Sequence, residues 1–100
     1  MISDIKEIIN LFSKGEMIIL IDDEERENEG DLVISSKYLT SDHINFMITY
    51  GKGLVCAPIS STVAKKLKLP LMEGVNNEMQ TPYTHSVDLK GDGAVSYTHL

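Results

Sequence analysis

Residues 17–36, MIILIDDEERENEGDLVISS, place a dense acidic segment between two apolar runs. The first run, residues 17–21, is short and rich in β-branched side chains, which is typical of a buried strand. The second apolar run, residues 31–36, is predicted to form another strand. The acidic segment, residues 22–31, holds seven acids and one base, Arg26. Because the net charge of the chain is -6, the whole excess of negative charge lies in these ten residues.

Helices are predicted on both sides of this stretch. Residues 4–14 carry isoleucines and a phenylalanine at helical spacing, with Asp4 and Glu7 in a capping pattern and Gly15 placed to end the helix. Two more helices are predicted after the second strand, from Thr40 or Ser41 to about Tyr50 and over residues 62–69 before Pro70.

Two further strands complete the predicted fold. Residues 54–59 are apolar, although Pro58 favours an early end or an edge position, and residues 83–89 follow a polar loop over residues 73–80. Helices and strands alternate without the regularity of a Rossmann unit. The predicted fold class is therefore α+β, a mixed sheet with helices packed on it.

Composition narrows the function classes. The net charge of -6 and a pI near 4.9 argue against a nucleic-acid partner, whose phosphates need lysine and arginine. No apolar run approaches the roughly 20 residues that span a bilayer, and the N-terminus lacks the basic stretch of a signal peptide. We expect a cytoplasmic protein without a membrane partner. Cys56 is the single cysteine, which rules out an internal disulfide, and it is expected to be a small buried side chain.

The acidic segment suggests a metal site. Crowded carboxylates repel one another unless a cation joins them, and Mg²⁺ binds one or two carboxylates together with substrate oxygens. Arg26 offers a planar fork for a phosphate or a carboxylate, a free carboxylate can act as general base, and Gly30 permits an unusual turn beside the acids. The alternative is a solvated acidic loop without a ligand. These residues predict a divalent-metal site for an oxygen-rich, anionic substrate but do not name a reaction.

The segment DDEERENEGDLVISS resembles the signature of 3,4-dihydroxy-2-butanone 4-phosphate synthase. The resemblance continues through INFMITYGKGLVCAPIS, LKLPLM, the pair Asn76 and Asn77, and TPYTHSVDLKG, and covers about residues 4–91. It implies a lyase of riboflavin biosynthesis that converts D-ribulose 5-phosphate into 3,4-dihydroxy-2-butanone 4-phosphate and formate. It also implies a Mg²⁺ cofactor, with Mn²⁺ as an alternative, and a homodimer with active sites near the subunit interface.

The resemblance also implies roles for individual residues. Glu27 matches a metal ligand, and the substrate would contact Arg26, Glu27, Asp31 and Thr84. Glu29 and Asp31 are the catalytic acid/base candidates. Cys56 matches a position near the site.

Two departures from the family pattern qualify this interpretation. The family's second metal ligand, a histidine, and a further catalytic glutamate belong to a second half that this sequence does not contain. Residues 1–93 are therefore interpreted as the N-terminal part of such a domain, and residues 94–100 (AVSYTHL) as an atypical tail from truncation or artefact. The chain by itself is expected to have little turnover. The alternative function is a non-catalytic dimerisation or metal- and phosphate-binding remnant of the same fold.

Overall fold

The computed structural model describes residues 2–73 and 81–91. It divides into two compact units, residues 1–57 and 58–100, which are described separately. The predicted tail over residues 94–100, and the loop with Asn76 and Asn77, lie outside the described residues.

The first helix forms as predicted. Helix α1 spans Ile5–Ser13, and its apolar side faces strand β1 (Ile18–Ile21). Asp4 is the N-cap residue, but its side chain makes no capping hydrogen bond, so the predicted capping pattern is only partly confirmed. Gly15 follows the helix with φ +94°, a left-handed conformation that glycine adopts without strain.

The two predicted strands of the first unit form a hairpin. Strand β2 spans Gly30–Val33 and pairs with β1 in antiparallel register, Ile18 opposite Val33 and Ile21 opposite Gly30. The acidic residues 22–29 are thus the hairpin loop. Among the described residues this is the sole sheet, so the α+β class is observed while the predicted mixed sheet is not, since both of its strands run antiparallel.

The unusual turn beside the acids is made by a different residue from the one predicted. Asn28 has φ +52°, whereas Gly30 is the first residue of β2 and has no positive φ. Asparagine is among the few side chains that adopt this conformation readily, so the loop reverses direction without glycine.

The second helical region begins at the predicted position as an α-helix and ends as a π-helix. Helix α2 spans Ser41–Phe46 and continues as a π-helix over Met47–Gly51, which packs on β2. The Thr40 hydroxyl caps α2 by accepting the backbone N–H of His43, and Nδ1 of the His43 ring accepts the backbone N–H of Thr40. The Thr40 cap is predicted from the sequence, but the histidine that completes it is not.

Thr40→Ala is expected to destabilise α2 by about 1 kcal/mol, because the first turn loses its side-chain acceptor. Backbone chemical shifts of residues 41–46 should move toward random-coil values. Asp4→Ala is the matched control, since that N-cap side chain makes no hydrogen bond to α1. Equal loss of helix in both variants would contradict the capping role of Thr40.

The predicted strand over residues 54–59 is wrong for this structure. These residues are irregular, and Cys56 is exposed rather than buried. A strand forms only where a neighbouring strand accepts its backbone hydrogen bonds, and no such partner lies among residues 2–73 and 81–91.

The second unit contains one helix and one isolated bridge in its described part. Helix α3 spans Ser61–Lys66, capped by Ser60, and ends before the predicted limit at residue 69 because Lys68 adopts φ +56°. Leu71 and Thr84 form an antiparallel bridge. The predicted strand over residues 83–89 is therefore reduced to this single pair.

The described residues contain no fully buried side chain. Ile19 and Ile21, on the hairpin face opposite to α1, remain 66% and 65% exposed. The other face, together with α1, lines an open apolar cleft formed by Ile5, Ile8, Ile9, Phe12, Ile18, Leu20 and Val33. Within this part of the chain, no helix has the length and apolar character needed to cross a membrane.

Candidate functional site

The hairpin loop is organised by Asp22, the first residue after β1. The Asp22 backbone N–H donates to the carbonyl of Glu29, which extends the strand pairing by one step. Its carboxylate accepts two backbone N–H groups, Oδ1 from Glu29 at 2.7 Å and Oδ2 from Glu27 at 3.0 Å. One side chain therefore ties together both halves of the loop.

Asp23 makes the turn at the tip of the loop. Its Oδ1 accepts the backbone N–H of Glu25 at 2.8 Å, and its carbonyl accepts those of Arg26 and Asn28. Such side-chain bonds to a backbone two residues on are the reason that aspartate favours turns. The loop thus has a defined backbone despite its charge.

Arg26 and Glu27, the predicted substrate and metal residues, lie side by side. The Arg26 Nη1 is 3.2 Å from Asp22 Oδ2, and its Nη2 is 3.8 Å from Glu27 Oε1. The Arg26 side chain is 55% exposed and that of Glu27 is 38% exposed, so both are accessible to a ligand. The two groups do not diverge into solvent on opposite faces, as a purely solvated acidic loop would have them do.

Glu29 and Asp31, the predicted acid/base residues, flank the start of β2. Asp31 pairs with Leu20, and Glu29 pairs with Asp22 through the hydrogen bonds just described. Since side chains alternate along a strand, residues two apart share a face, which puts both carboxylates on the side of Asp22. The described contacts thus place Arg26 beside Glu27, whereas the site roles of Glu29 and Asp31 stay predictions.

The remaining two predicted residues, Cys56 and Thr84, belong to other segments of the chain. Cys56 lies in the irregular segment after the π-helix and makes none of the described hydrogen bonds or ion pairs of the loop. Thr84 belongs to the second unit, where its hydroxyl donates to the carbonyl of His85 at 3.0 Å. Their site roles stay predictions.

Hydrogen bonding lowers the pKa of Asp22 from its ordinary 3.8. The bond from the Glu29 N–H is the largest cause; desolvation opposes it, and the Glu27 N–H and the Arg26 charge lower it further. Because the folded-state pKa is depressed, the loop stabilisation is present above pH 3.8 and is lost as the pH falls through the lower folded value. NMR signals of the Glu27 and Glu29 amides should therefore titrate below pH 3.8. A midpoint above 3.8 would contradict the hydrogen-bond network.

Asp22 is the residue of the loop that sequence reasoning missed. The sequence places Asp22 in the acidic segment but predicts no separate role for it. Its position directly after a strand and before a turn was the available signal, because aspartate commonly accepts backbone N–H groups there. What the sequence could not show is that these N–H groups come from Glu27 and Glu29, five and seven residues away.

The loop does not by itself form a complete metal cage. Within residues 2–73 and 81–91, no group of three or more histidine, cysteine, aspartate or glutamate side chains is arranged to hold a metal ion. Glu27 offers an accessible carboxylate, the hard oxygen donor that Mg²⁺ prefers.

The arrangement of the loop can be compared with known proteins. The sequence profile of the 3,4-dihydroxy-2-butanone 4-phosphate synthase family matches residues 6–97, nearly the whole chain. The chain belongs to this family. The match includes the entire hairpin with its loop.

Individual members of the 3,4-dihydroxy-2-butanone 4-phosphate synthase family are also similar. The riboflavin biosynthesis protein RibBA of Cytophaga hutchinsonii is 47% identical over 96 residues, which are 95% of this chain and 24% of that protein. The 3,4-dihydroxy-2-butanone 4-phosphate synthase of Helicobacter pylori is 44% identical over 87 residues, 86% of this chain and 25% of that protein. The chain thus spans about a quarter of the length of these relatives.

A solved structure of the family shares the fold. The crystal structure of RibBX, a two-domain 3,4-dihydroxy-2-butanone 4-phosphate synthase from A. baumannii, aligns with a TM-score of 0.69 and 46% identity. The alignment covers 78% of this chain and 23% of that one. The fold is therefore that of 3,4-dihydroxy-2-butanone 4-phosphate synthase over most of the residues present here.

Proposed function

We propose that the protein carrying this chain is a lyase of riboflavin biosynthesis. It converts D-ribulose 5-phosphate into 3,4-dihydroxy-2-butanone 4-phosphate and formate. The observation that carries the proposal is the hairpin loop, which holds Arg26 beside Glu27 within a chain that belongs to the corresponding family.

Glu27 is the residue proposed to bind the divalent cation, Mg²⁺ or Mn²⁺. Its carboxylate is accessible and its backbone is fixed by Asp22, which suits a hard oxygen ligand. The chemistry that such a bound cation supplies is Lewis-acid stabilisation of negative charge on substrate oxygens. Among the described residues Glu27 has no co-ligands, so the 100-residue chain alone is expected to bind the cation weakly and to show little turnover.

Arg26 and the two acid/base candidates are proposed to bind the substrate and to transfer protons. Arg26 contacts the anionic substrate with its planar guanidinium, which can form paired hydrogen bonds to a phosphate or to adjacent oxygens. The Glu29 and Asp31 carboxylates take a proton from the carbon next to the carbonyl and return protons in later steps. Asp31 also contacts the substrate, as does Thr84.

The proposed assembly is a cytoplasmic homodimer whose complete domain contains a larger, mixed sheet. The exposed Ile19 and Ile21 support further packing on the hairpin, because apolar side chains on a sheet face are normally covered. We propose no nucleic-acid or membrane partner, and we propose that Cys56 lies near the assembled site.

Formate release from ribulose 5-phosphate tests the proposal. With Mg²⁺ present the complete protein that carries this chain should produce formate, EDTA should stop it, and added Mg²⁺ or Mn²⁺ should restore it. A folded complete protein that releases no formate under these conditions would overturn the lyase assignment. Mn²⁺ or ribulose 5-phosphate binding without turnover would instead favour the non-catalytic remnant.

A further inference from the structure

We infer that Asp22 is the positioning residue of the loop: its one carboxylate fixes Arg26, Glu27 and Glu29 relative to one another. The inference rests on the proposed function, which places those three residues at the site. Asp22 itself contacts neither substrate nor metal in this scheme.

The hydrogen bonds of Asp22 show why it acts through others. Oδ1 accepts from the Glu29 N–H at 2.7 Å, while Oδ2 accepts from the Glu27 N–H at 3.0 Å and from Arg26 Nη1 at 3.2 Å. An ionised carboxylate has about four acceptor positions, so three are already occupied. The Asp22 side chain is 18% exposed, less than that of Arg26 or Glu27. It is directed into the loop rather than toward a ligand.

The charge of the loop makes such an anchor necessary. Residues 22–29 contain six carboxylates and one guanidinium, so their side chains repel one another and favour an expanded loop. Without fixed bonds, each backbone residue of the loop would regain the conformational freedom that folding removes. Asp22 opposes both effects because its negative charge is satisfied by the loop's own N–H groups and by Arg26.

Displacement of a catalytic group by about 1 Å is enough to lower the catalytic rate on the order of a hundredfold. The position that Asp22 fixes therefore matters for function as well as for local structure. Glu27 and Glu29 are held through their backbones, which leaves both side chains available. Arg26 is held through one guanidinium nitrogen, Nη1, while Nη2 faces Glu27. The same carboxylate thereby orients the proposed metal ligand, an acid/base group and the substrate-binding arginine.

Asp22→Asn tests the inference, with Asp23→Asn as a matched control. Both variants remove one negative charge from the loop, but the Asp23 side chain accepts only the Glu25 N–H. Amide hydrogen exchange in the 100-residue chain is the first measurement. In Asp22→Asn, exchange at Glu27 and Glu29 should rise roughly threefold or more. In Asp23→Asn, the change should be confined to Glu25.

Binding of Mn²⁺ alone, followed by paramagnetic broadening of loop signals, is the second measurement. Asp22→Asn should weaken Mn²⁺ affinity about tenfold, in the range expected when a residue that orients a ligand is removed. Asp23→Asn should weaken it less, because only long-range charge is lost. Glu27→Gln is included as the variant that removes the proposed ligand itself.

The possible outcomes distinguish the positioning role of Asp22 from the metal site of the proposed function. Unchanged exchange at Glu27 and Glu29 in Asp22→Asn would overturn the positioning role, as would a rise that extends equally through β1 and β2, since that indicates a general structural role. Equal Mn²⁺ affinities for Asp22→Asn and Asp23→Asn would also overturn it. Unchanged Mn²⁺ binding in Glu27→Gln would instead refute the metal site of the proposed function, while the exchange data would still decide whether Asp22 fixes the loop.

Discussion

In the complete protein that carries this chain, Glu27→Gln is expected to lower formate release from ribulose 5-phosphate by about two to three orders of magnitude. The substitution keeps the size of the side chain but removes the anionic oxygen donor, and metal-assisted charge stabilisation contributes several kcal/mol to such reactions. The backbone N–H of residue 27 would still donate to Asp22, so the loop should keep its shape. Turnover measured across a range of Mg²⁺ concentrations is the appropriate assay, because partial rescue at high Mg²⁺ would identify a weakened metal ligand.

Glu25→Gln provides the control for this variant. Glu25 lies in the same loop and loses the same charge, but its side chain makes no described hydrogen bond or ion pair. We expect less than about a threefold change, as is usual for a surface charge in a solvated position. Activity of Glu27→Gln close to that of Glu25→Gln would remove Glu27 from the site.

The second large effect is expected at Gly15, the residue that ends α1. Gly15→Ala should lower the free energy of unfolding of the first unit by about 2 kcal/mol, from left-handed backbone strain and overpacking together. Gly15 has φ +94°, and an added Cβ would lie 2.7 Å from Cγ of Tyr38. The turn between α1 and β1 would have to shift away from that ring. Denaturant unfolding followed by circular dichroism measures the change.

Gly53→Ala is the matched control, because Gly53 has no positive φ and an added Cβ would meet no atom within 4 Å. We expect its unfolding midpoint to stay near that of the unsubstituted chain. Similar loss of stability in the two variants would show that neither the backbone conformation of Gly15 nor its contact with Tyr38 matters.

The helices illustrate how far local sequence patterns determine structure. The isoleucine spacing of α1, the Thr40 cap of α2 and the Ser60 cap of α3 depend on residues a few positions apart, so their existence follows from the sequence. The strands of residues 54–59 and 83–89 were predicted from the same kind of pattern and were wrong beyond the single Thr84 bridge. A strand needs a partner elsewhere in the chain, and local composition does not supply one.

In the candidate site too, some features follow from the sequence and others only from the tertiary structure. The sequence by itself determined the family and the acidic segment between two strands, because both depend on residues close together in the chain. Its resemblance to the family also predicts site roles for Arg26, Glu27, Glu29 and Asp31. Only the tertiary structure decided that the segment is a hairpin loop closed by Asp22, with the turn made at Asn28 rather than Gly30. The physical reason is that the Asp22 carboxylate accepts N–H groups from residues five and seven positions away, which the pairing of β1 with β2 brings within reach.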